Sequence, residues 1–222
     1  MLIDQLQIGS HFSYDDYEAS IRERKIGSPK KKTIKDTVPF SNITHDFSKI
    51  NGEIYWEERS LEYVFEIDAE TPERLEKKKA AFSSWIMNVF KEELHDPFIE
   101  GFHFIATFDD IEFDDTEVEK TTATVSFTAY PFMIADLKTT NQFQVTTTDQ
   151  VVRIANASSH KITPTVIASV PVSLEHNETT FSINAGTTTN EALMLDVGVN
   201  EFTIKGTSGA GTLKFEFFEE VF

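Results

Sequence analysis

The sequence predicts a mainly β protein of two domains with one α-helix, and three observations lead to that fold class. Apolar and polar residues alternate over several stretches, which is the period of half-buried strands. One segment, soon after residue 70, carries a helical period. Beyond Ala135 the composition turns rich in Thr, Asn and Val, with turn signals every 8–12 residues, which is typical of a β-sandwich. We therefore expect a boundary at about 136–142 and divide the chain into domains 1–137 and 138–222.

The predicted helix begins at Thr71, whose hydroxyl can cap the first turn. Pro72 suits the first helical position, and Glu73 favours the positive end of the helix dipole. The lysines at 77–79 lie largely off the apolar stripe, and Asp96-Pro97 marks a stop beyond the end. Such a stripe predicts core packing. It consists of Leu75, Phe82, Ile86, Val89 and Phe90.

Alternation also predicts the strands around this helix. A half-buried strand runs from Tyr55 to Ile67, and Asn51-Gly52 before it has the sequence of a type I′ hairpin turn. A second strand begins at Phe102, and its phase shifts by one at Asp109-Asp110, which predicts a β-bulge. Asp114-Asp115-Thr116 is the expected turn. The return strand should face inward with Ala123, Val125, Phe127 and Ala129, and the N-terminus should open a strand with Leu2, Ile3, Leu6 and Ile8.

In the C-terminal domain short strands are separated by turn sequences. Asn177-Glu178 and Gly198-Val199-Asn200 are two of these turns, and a third is the glycine-rich segment 206–211. Phe202 and Ile204 alternate with polar residues. The last strand places a row of three apolar residues in the predicted core: Leu213, Phe215 and Phe217.

Charge and composition exclude several classes of protein. The chain has 37 acidic and 20 basic residues, a net charge of −17, and residues 1–137 hold 28 of the acids against 15 bases. The negative electrostatic field of such a chain repels phosphate backbones, so we expect no specific nucleic-acid binding. The basic segment 22–35 is interpreted as a solvated loop or hairpin tip rather than a binding site. There is no cysteine, so no disulfide, and we expect neither a signal peptide nor a membrane span.

The residues that could carry chemistry do not form a recognisable catalytic or metal site. The six histidines lack the spacing of zinc ligands, and His103 falls in a strand, which favours a rim or core position. The segment 206–211 lacks the second glycine of a nucleophile elbow and the lysine of a phosphate loop. We therefore predict no enzyme, no cofactor and no metal.

An acidic cluster is the strongest local anomaly, with seven acids in the eleven residues from 109 to 119. It lacks the central glycine and terminal glutamate of an EF-hand calcium loop. A carboxylate pair for glycoside hydrolysis has no accompanying cleft of Trp and Tyr. Two interpretations stay open with equal weight: a solvated hairpin or a deliberately negative surface.

The order of these segments resembles the distal tail proteins of long non-contractile-tailed phages and prophages. The similar features are the Arg59-Ser60-Leu61 entry to a long strand, the short helix with Trp85, Tyr130-Pro131-Phe132, and the Gly198-x-Asn200 turn. The resemblance covers nearly the whole chain, and its specificity lies in the order of the segments. The turn region 41–52, rich in Asn, departs from the Gly/Asp-rich pattern of many relatives. The segments are VPFSNITHDFSKINGEIYWEERSLEYVFEI, TPERLEKKKAAFSSWI, SFTAYPFMIAD, and MLDVGVNEFTIKG followed by GTLKFEFFEEVF.

The resemblance implies a structural hub of the virion tail tip, assembled in the host cytoplasm. Residues 1–137 would form a belt domain, similar to tail-tube proteins, that closes into a homohexameric ring for DNA passage. Residues 138–222 would form a galectin-like β-sandwich. The implied partners are the tail tube protein, the tail-associated tip protein and, in some relatives, receptor-binding proteins.

Under this reading the acidic cluster would line the bore of the ring. The residues concerned are Asp109, Asp110, Glu112, Asp114 and Asp115. The alternative function is a carbohydrate-binding module for host-surface attachment, since galectin-like sandwiches often bind glycans. Residues 138–222 contain neither Trp nor Tyr for a sugar-stacking platform, so we expect no sugar binding.

Overall fold

The computed structural model describes residues 4–37, 40, 42, 44–49, 53–115 and 117–222. Their backbone forms two compact units, Met1–Met133 with Phe222, and Ile134–Val221. The predicted roles of Leu2, Ile3, Asn51-Gly52 and Thr116 lie outside the described residues.

The first unit is built on an antiparallel sheet with the strand order β2-β1-β7-β8-β9-β6-β3. Two further short strands, β4 and β5, pair with each other, and one helix, α1, follows β6. The bounds are β1 Gln7–Ile8, β2 His11–Phe12, β3 Ala19–Ile26, β4 Lys35–Thr37, β5 Thr44–Asp46, β6 Arg59–Asp68, α1 Pro72–Ile86, β7 Glu92–His95, β8 Phe102–Asp114 and β9 Lys120–Ala129.

One face of this sheet is buried beneath the helix. Side chains alternate between the two faces of a strand, and directly paired residues of neighbouring strands share a face. Phe65 of β6 pairs with Ala123 of β9, and both are fully buried. The ring of Phe82 on α1 packs edge-on against Phe65, with 5.1 Å between ring centroids. The core of the unit therefore lies between α1 and the face that carries Leu61, Tyr63, Phe65 and Ile67.

The helix begins as predicted and ends earlier than the predicted stripe. The Arg74 backbone N–H donates to the Thr71 hydroxyl at 3.3 Å, and Pro72 occupies the first turn. Val89 is buried just beyond the helix, whereas Phe90 is 69% exposed, so its place in the stripe was wrong. The reason is that the chain turns after Ile86 and starts β7, a strand that the polar sequence EELH did not indicate. Among the described residues, no helix is long and apolar enough to cross a membrane.

The bulge predicted in β8 is confirmed, and the interpretation of the basic segment is corrected. The pairing of β8 with β9 shifts between Phe108 and Asp110, at the predicted change of phase.

The segment 22–35 is not simply a solvated loop, because its first part belongs to β3 and pairs with β6. That strand has its own register shift, between Ile21 and Glu23.

The second unit is a β-sandwich of two four-stranded sheets, as the turn pattern predicted. The sheets have the orders β11-β18-β13-β16 and β12-β17-β14-β15, while β10 and β19 pair with each other. Asn177 and Glu178 both have positive φ, 48° and 63°, in the turn between β14 and β15. The predicted row Leu213, Phe215 and Phe217 is buried. The bounds are β10 Met133–Ala135, β11 Thr139–Val145, β12 Gln150–Asn156, β13 Thr165–Ala168, β14 Val172–His176, β15 Thr179–Ile183, β16 Gly186–Thr189, β17 Gly198–Gly206, β18 Gly211–Phe217 and β19 Glu220–Val221.

Replacing Phe82 by Ala tests how the helix is held. We expect this change to lower the free energy of unfolding by about 3–5 kcal/mol, because it leaves a cavity between α1 and the sheet. Chemical denaturation followed by circular dichroism measures the difference. Phe90→Ala is the matched control and should leave stability nearly unchanged, because its ring is exposed. Equal stability of Phe82→Ala and the unsubstituted chain would contradict this packing.

Candidate assembly surface

The face of the first sheet that points away from α1 is polar, and we call it the open face. In β9 the open face carries alternating hydroxyl side chains, Thr122, Thr124 and Ser126, each half-buried. They pair across with Asp114, Glu112 and Asp110 of β8. On their other side they pair with Glu66, Val64 and Glu62 of β6. The open face therefore presents a hydroxyl row between two strands that carry carboxylates.

The carboxylates of β8 are free of counter-charges. Asp110, Glu112 and Asp114 are exposed, and no basic side chain of the described residues lies within ion-pair distance of them. Asp109, the extra residue of the bulge, accepts a hydrogen bond from the Thr128 hydroxyl at 2.6 Å, which keeps it at the open face. Four of the five predicted acids thus share one surface, and their negative charge is uncompensated there.

The carboxylates of β6 are neutralised by cations, in contrast to those of β8. Lys25 Nζ lies 3.4 Å from Glu62, while Arg22 and Lys120 both contact Glu66. Partial burial raises the pKa of Glu66, but the hydrogen bonds from Lys120 and Arg22 outweigh it and lower that pKa overall. Basic residues from the predicted loop therefore compensate one side of the open face and leave the β8 side acidic.

Asp115 differs from the other four acids because it contacts the helix. Lys79 Nζ donates to its carboxylate at 2.8 Å, and the Thr121 hydroxyl donates at 2.8 Å. The Lys79 side chain is only 12% exposed and lies 4.9 Å above the Phe113 ring. The hydrogen bonds from Lys79 and then Thr121 lower the pKa of Asp115. This ion pair joins the end of β8 to α1, and no pattern in the sequence indicates it.

A cavity of about 590 Å³ lies at the end of the sheet where β6 begins. Arg59, the first residue of β6, is in its wall and is only 5% exposed. Its Nε and Nη1 are buried, and no described residue accepts a hydrogen bond from them. Burial lowers the pKa of Arg59, and its guanidinium lies 5.5 Å from the Phe104 ring. The other walls include Ile26, Ser28, Pro29, Trp56, Phe98 and Phe222.

A second arginine of the same unit, Arg24, has carboxylate counter-ions. Arg24 Nε donates to both oxygens of the buried Asp96 at 3.0 Å, and its Nη2 contacts Asp4. Burial lowers the pKa of Arg24, but the two carboxylates outweigh it and raise that pKa. Asp96, predicted only as part of a stop signal, is thus a structural counter-ion. Arg59 has no such counter-ion among the described residues.

Two of the six histidines, His103 and His176, are buried. His103 is buried in β8, and its ring centroid lies 4.9 Å from that of His95 on β7. Sequence spacing missed this proximity because strand pairing brings the two together. In the second unit His176 stacks on Phe202 with 4.2 Å between centroids.

Comparison with known proteins gives a likeness in structure only. No family model and no curated protein sequence matches the chain. The structure is similar to the Dit protein (gp 19.1) of phage SPP1, a paradigm of the hub adsorption apparatus in phages that infect Gram-positive bacteria. The TM-score is 0.70 at 12% identity, over 97% of this chain and 99% of that one.

Two structures of the phage P2 baseplate in its activated conformation, with calcium and with strontium, also match. Each covers 97% of this chain and 98% of the other, at 9% and 10% identity. Their TM-scores of 0.40 and 0.39 are too low to indicate a shared fold. The likeness to the SPP1 protein extends over nearly the whole chain, and this confirms the β-rich fold that the resemblance to distal tail proteins implied.

Proposed function

We propose that this chain is a structural hub of a phage tail tip and not an enzyme. The observation that carries the proposal is the match in fold to the SPP1 Dit protein, which includes both units and leaves almost none of either chain unmatched. A fold alone does not fix a function. A second support is the order of the sequence segments, which resembles that of distal tail proteins. This resemblance does not depend on the fold comparison.

In this proposal six copies close into a ring through residues 1–137. Support comes from the sheet of the first unit, in which β2 and β3 are the end strands among the described residues. The N–H groups of Ala19 and Ile21 in β3 already donate to Ser13 and Asp4, so the part of β3 beyond Ile21 is the edge that could pair with a neighbour. A closed ring needs heterologous contacts, in which two different surfaces of identical copies meet. The ring would join the tail tube protein to the tail-associated tip protein, and to receptor-binding proteins where the tip has them.

The open face is proposed to line the bore of the ring. Duplex DNA binds cationic surfaces through counterion release, so a bore that attracted phosphate would hold the passing molecule. The four uncompensated carboxylates of β8 repel it instead, over a range of about 8 Å at physiological salt. Asp115 contributes less to this repulsion because Lys79 neutralises it. The bulge at Asp109 increases the local twist of β8, which favours a curved surface.

Assembly is the first test of this function. Native mass spectrometry is expected to give a species of about six times 25.2 kDa, either alone at high concentration or after addition of tube or tip protein. Negative-stain images of the same sample should show rings. Monomers under all of these conditions would contradict the proposed hub.

Neutralising the open face tests the proposed bore. The variant changes Asp109, Asp110 and Asp114 to Asn and Glu112 to Gln. We expect rings to form normally, because these side chains are exposed and have no counter-ion to lose. Virions that carry the variant should eject DNA more slowly and lose infectivity, since the bore no longer repels phosphate.

The control neutralises exposed acids of the second unit instead, with Glu175→Gln, Glu178→Gln and Glu191→Gln. It removes three negative charges, against four in the test variant, and should leave the rate of DNA ejection unchanged. Equal ejection rates for both variants and the unsubstituted virion would show that the open face does not line the bore.

A further inference from the structure

A second cavity of the first unit, with a volume of about 460 Å³, lies where α1 ends. Its wall is formed by the last turn of α1, the turn between β1 and β2, and the beginning of β7. Two half-buried aromatic side chains, Tyr17 and Trp85, line it together with polar groups. The proposed bore uses none of these residues and does not account for the cavity.

The two aromatic side chains form a rigid wall. Their rings are nearly parallel, with 6° between the planes and 4.5 Å between the centroids. Phe82 of the core packs edge-to-face against Trp85, with 5.8 Å between centroids, and this contact fixes the indole. The faces of aromatic rings carry partial negative charge, so the wall is suited to a positively charged group.

A carboxylate without a counter-ion lies at the same cavity. A β-carbon at Gly9 would lie 3.3 Å from Oε2 of Glu92, so this carboxylate is held beside the turn between β1 and β2. No basic side chain of the described residues lies within ion-pair distance of Glu92. Lys91, its neighbour in the chain, lies beside the ring of Phe90 instead, with Nζ 5.7 Å from the centroid.

Two further features make the surroundings of the cavity negative. Ser84 and Trp85 belong to the last turn of α1, which holds the negative end of the helix dipole and has no basic residue. Asp16 lies 3.5 Å from Nδ1 of His11 in the cavity wall. Burial, and then the charge of Asp16, raise the pKa of the Tyr17 phenol. No lysine or arginine is among the described residues that line the cavity.

We propose that this cavity binds the guanidinium group of an arginine side chain presented by a partner protein. A guanidinium is planar, so it stacks on an aromatic ring while its N–H groups donate to a carboxylate such as that of Glu92. A lysine ammonium supplies the charge without the stacking. Arginine is also enriched at protein interfaces, where a few anchoring side chains carry most of the binding energy.

The partner is a protein bound outside the ring, and this part of the inference rests on the proposed function. The helix α1 covers the face of the first sheet opposite the open face. A bore lined by the open face therefore leaves the end of α1, with its cavity, on the outer side. DNA in the bore does not meet this site, whereas another protein of the tail tip can dock on it.

Titration with N-acetyl-L-arginine amide tests the chemistry of the site. The chain has two tryptophans, so incorporation of fluorotryptophan gives two fluorine NMR resonances, and Trp56→Phe identifies the one from Trp85. We expect a saturable shift of the Trp85 resonance with a dissociation constant on the order of millimolar, because a single side chain makes few contacts. N-acetyl-L-citrulline amide has nearly the same shape without the charge and should bind about ten-fold more weakly.

Glu92→Gln separates the charge of the site from its shape. The affinity for the arginine amide should fall about ten-fold, because a charged hydrogen-bond acceptor is lost. The melting temperature should not change, since Glu92 is exposed and has no ion pair to lose. Glu93→Gln removes the adjacent exposed carboxylate, which does not line the cavity, and should keep the affinity. Both variants should still form rings, because the site faces outward.

Three outcomes overturn the proposed site. They are the absence of a saturable shift at Trp85, equal affinity for the arginine and citrulline amides, and equal affinity of Glu92→Gln and Glu93→Gln for the arginine amide. Loss of rings in Glu92→Gln alone would overturn the outside partner, because the site would then serve a contact between copies. Binding of the arginine amide by an unsubstituted chain that never forms rings would support the site and contradict the proposed hub.

Discussion

The structure of the first unit depends on one-sided burial of its sheet. Apolar residues occupy every second position of β6 and β9, and because paired residues share a face, their side chains form one continuous apolar surface. That surface requires a cover, and α1 supplies it through Leu75, Phe82 and Ile86. The other face must then carry the polar residues of the same strands. The hydroxyls and carboxylates of the open face are thus the necessary counterpart of the core, and the bulge in β8 allows Asp109 to join them.

Much of this follows from short-range pattern in the sequence. The cap at Thr71, the shift of phase at Asp109-Asp110 and the alternation of β9 are each set by a few neighbouring residues, and the structure agrees with all three. The strand β7 was missed because its four residues are mostly polar, and their position depends on pairing with β8 and β1. Phe90 was misassigned because a helical stripe in the sequence does not show where the helix stops.

The candidate surfaces, too, are set partly by local sequence and partly by tertiary contacts. The acidic cluster is visible from composition, but its division into four carboxylates at the open face and one bound to Lys79 arises from tertiary contacts. Arg24 and Arg59 are similar in the sequence, each within or at the start of a strand. Their difference arises because Asp96, 72 residues away, reaches one guanidinium and no carboxylate of the described residues reaches the other.

The central claim is that the open face lines the bore of a ring formed by six copies. Cryo-electron microscopy of the assembled chain tests it most directly, at a resolution that distinguishes strands from helices. The account predicts six-fold symmetry with β8 and β9 facing the axis and α1 on the outer side of the sheet. A ring in which α1 faces the axis, or in which the carboxylates of β8 lie on the outer rim, would contradict it.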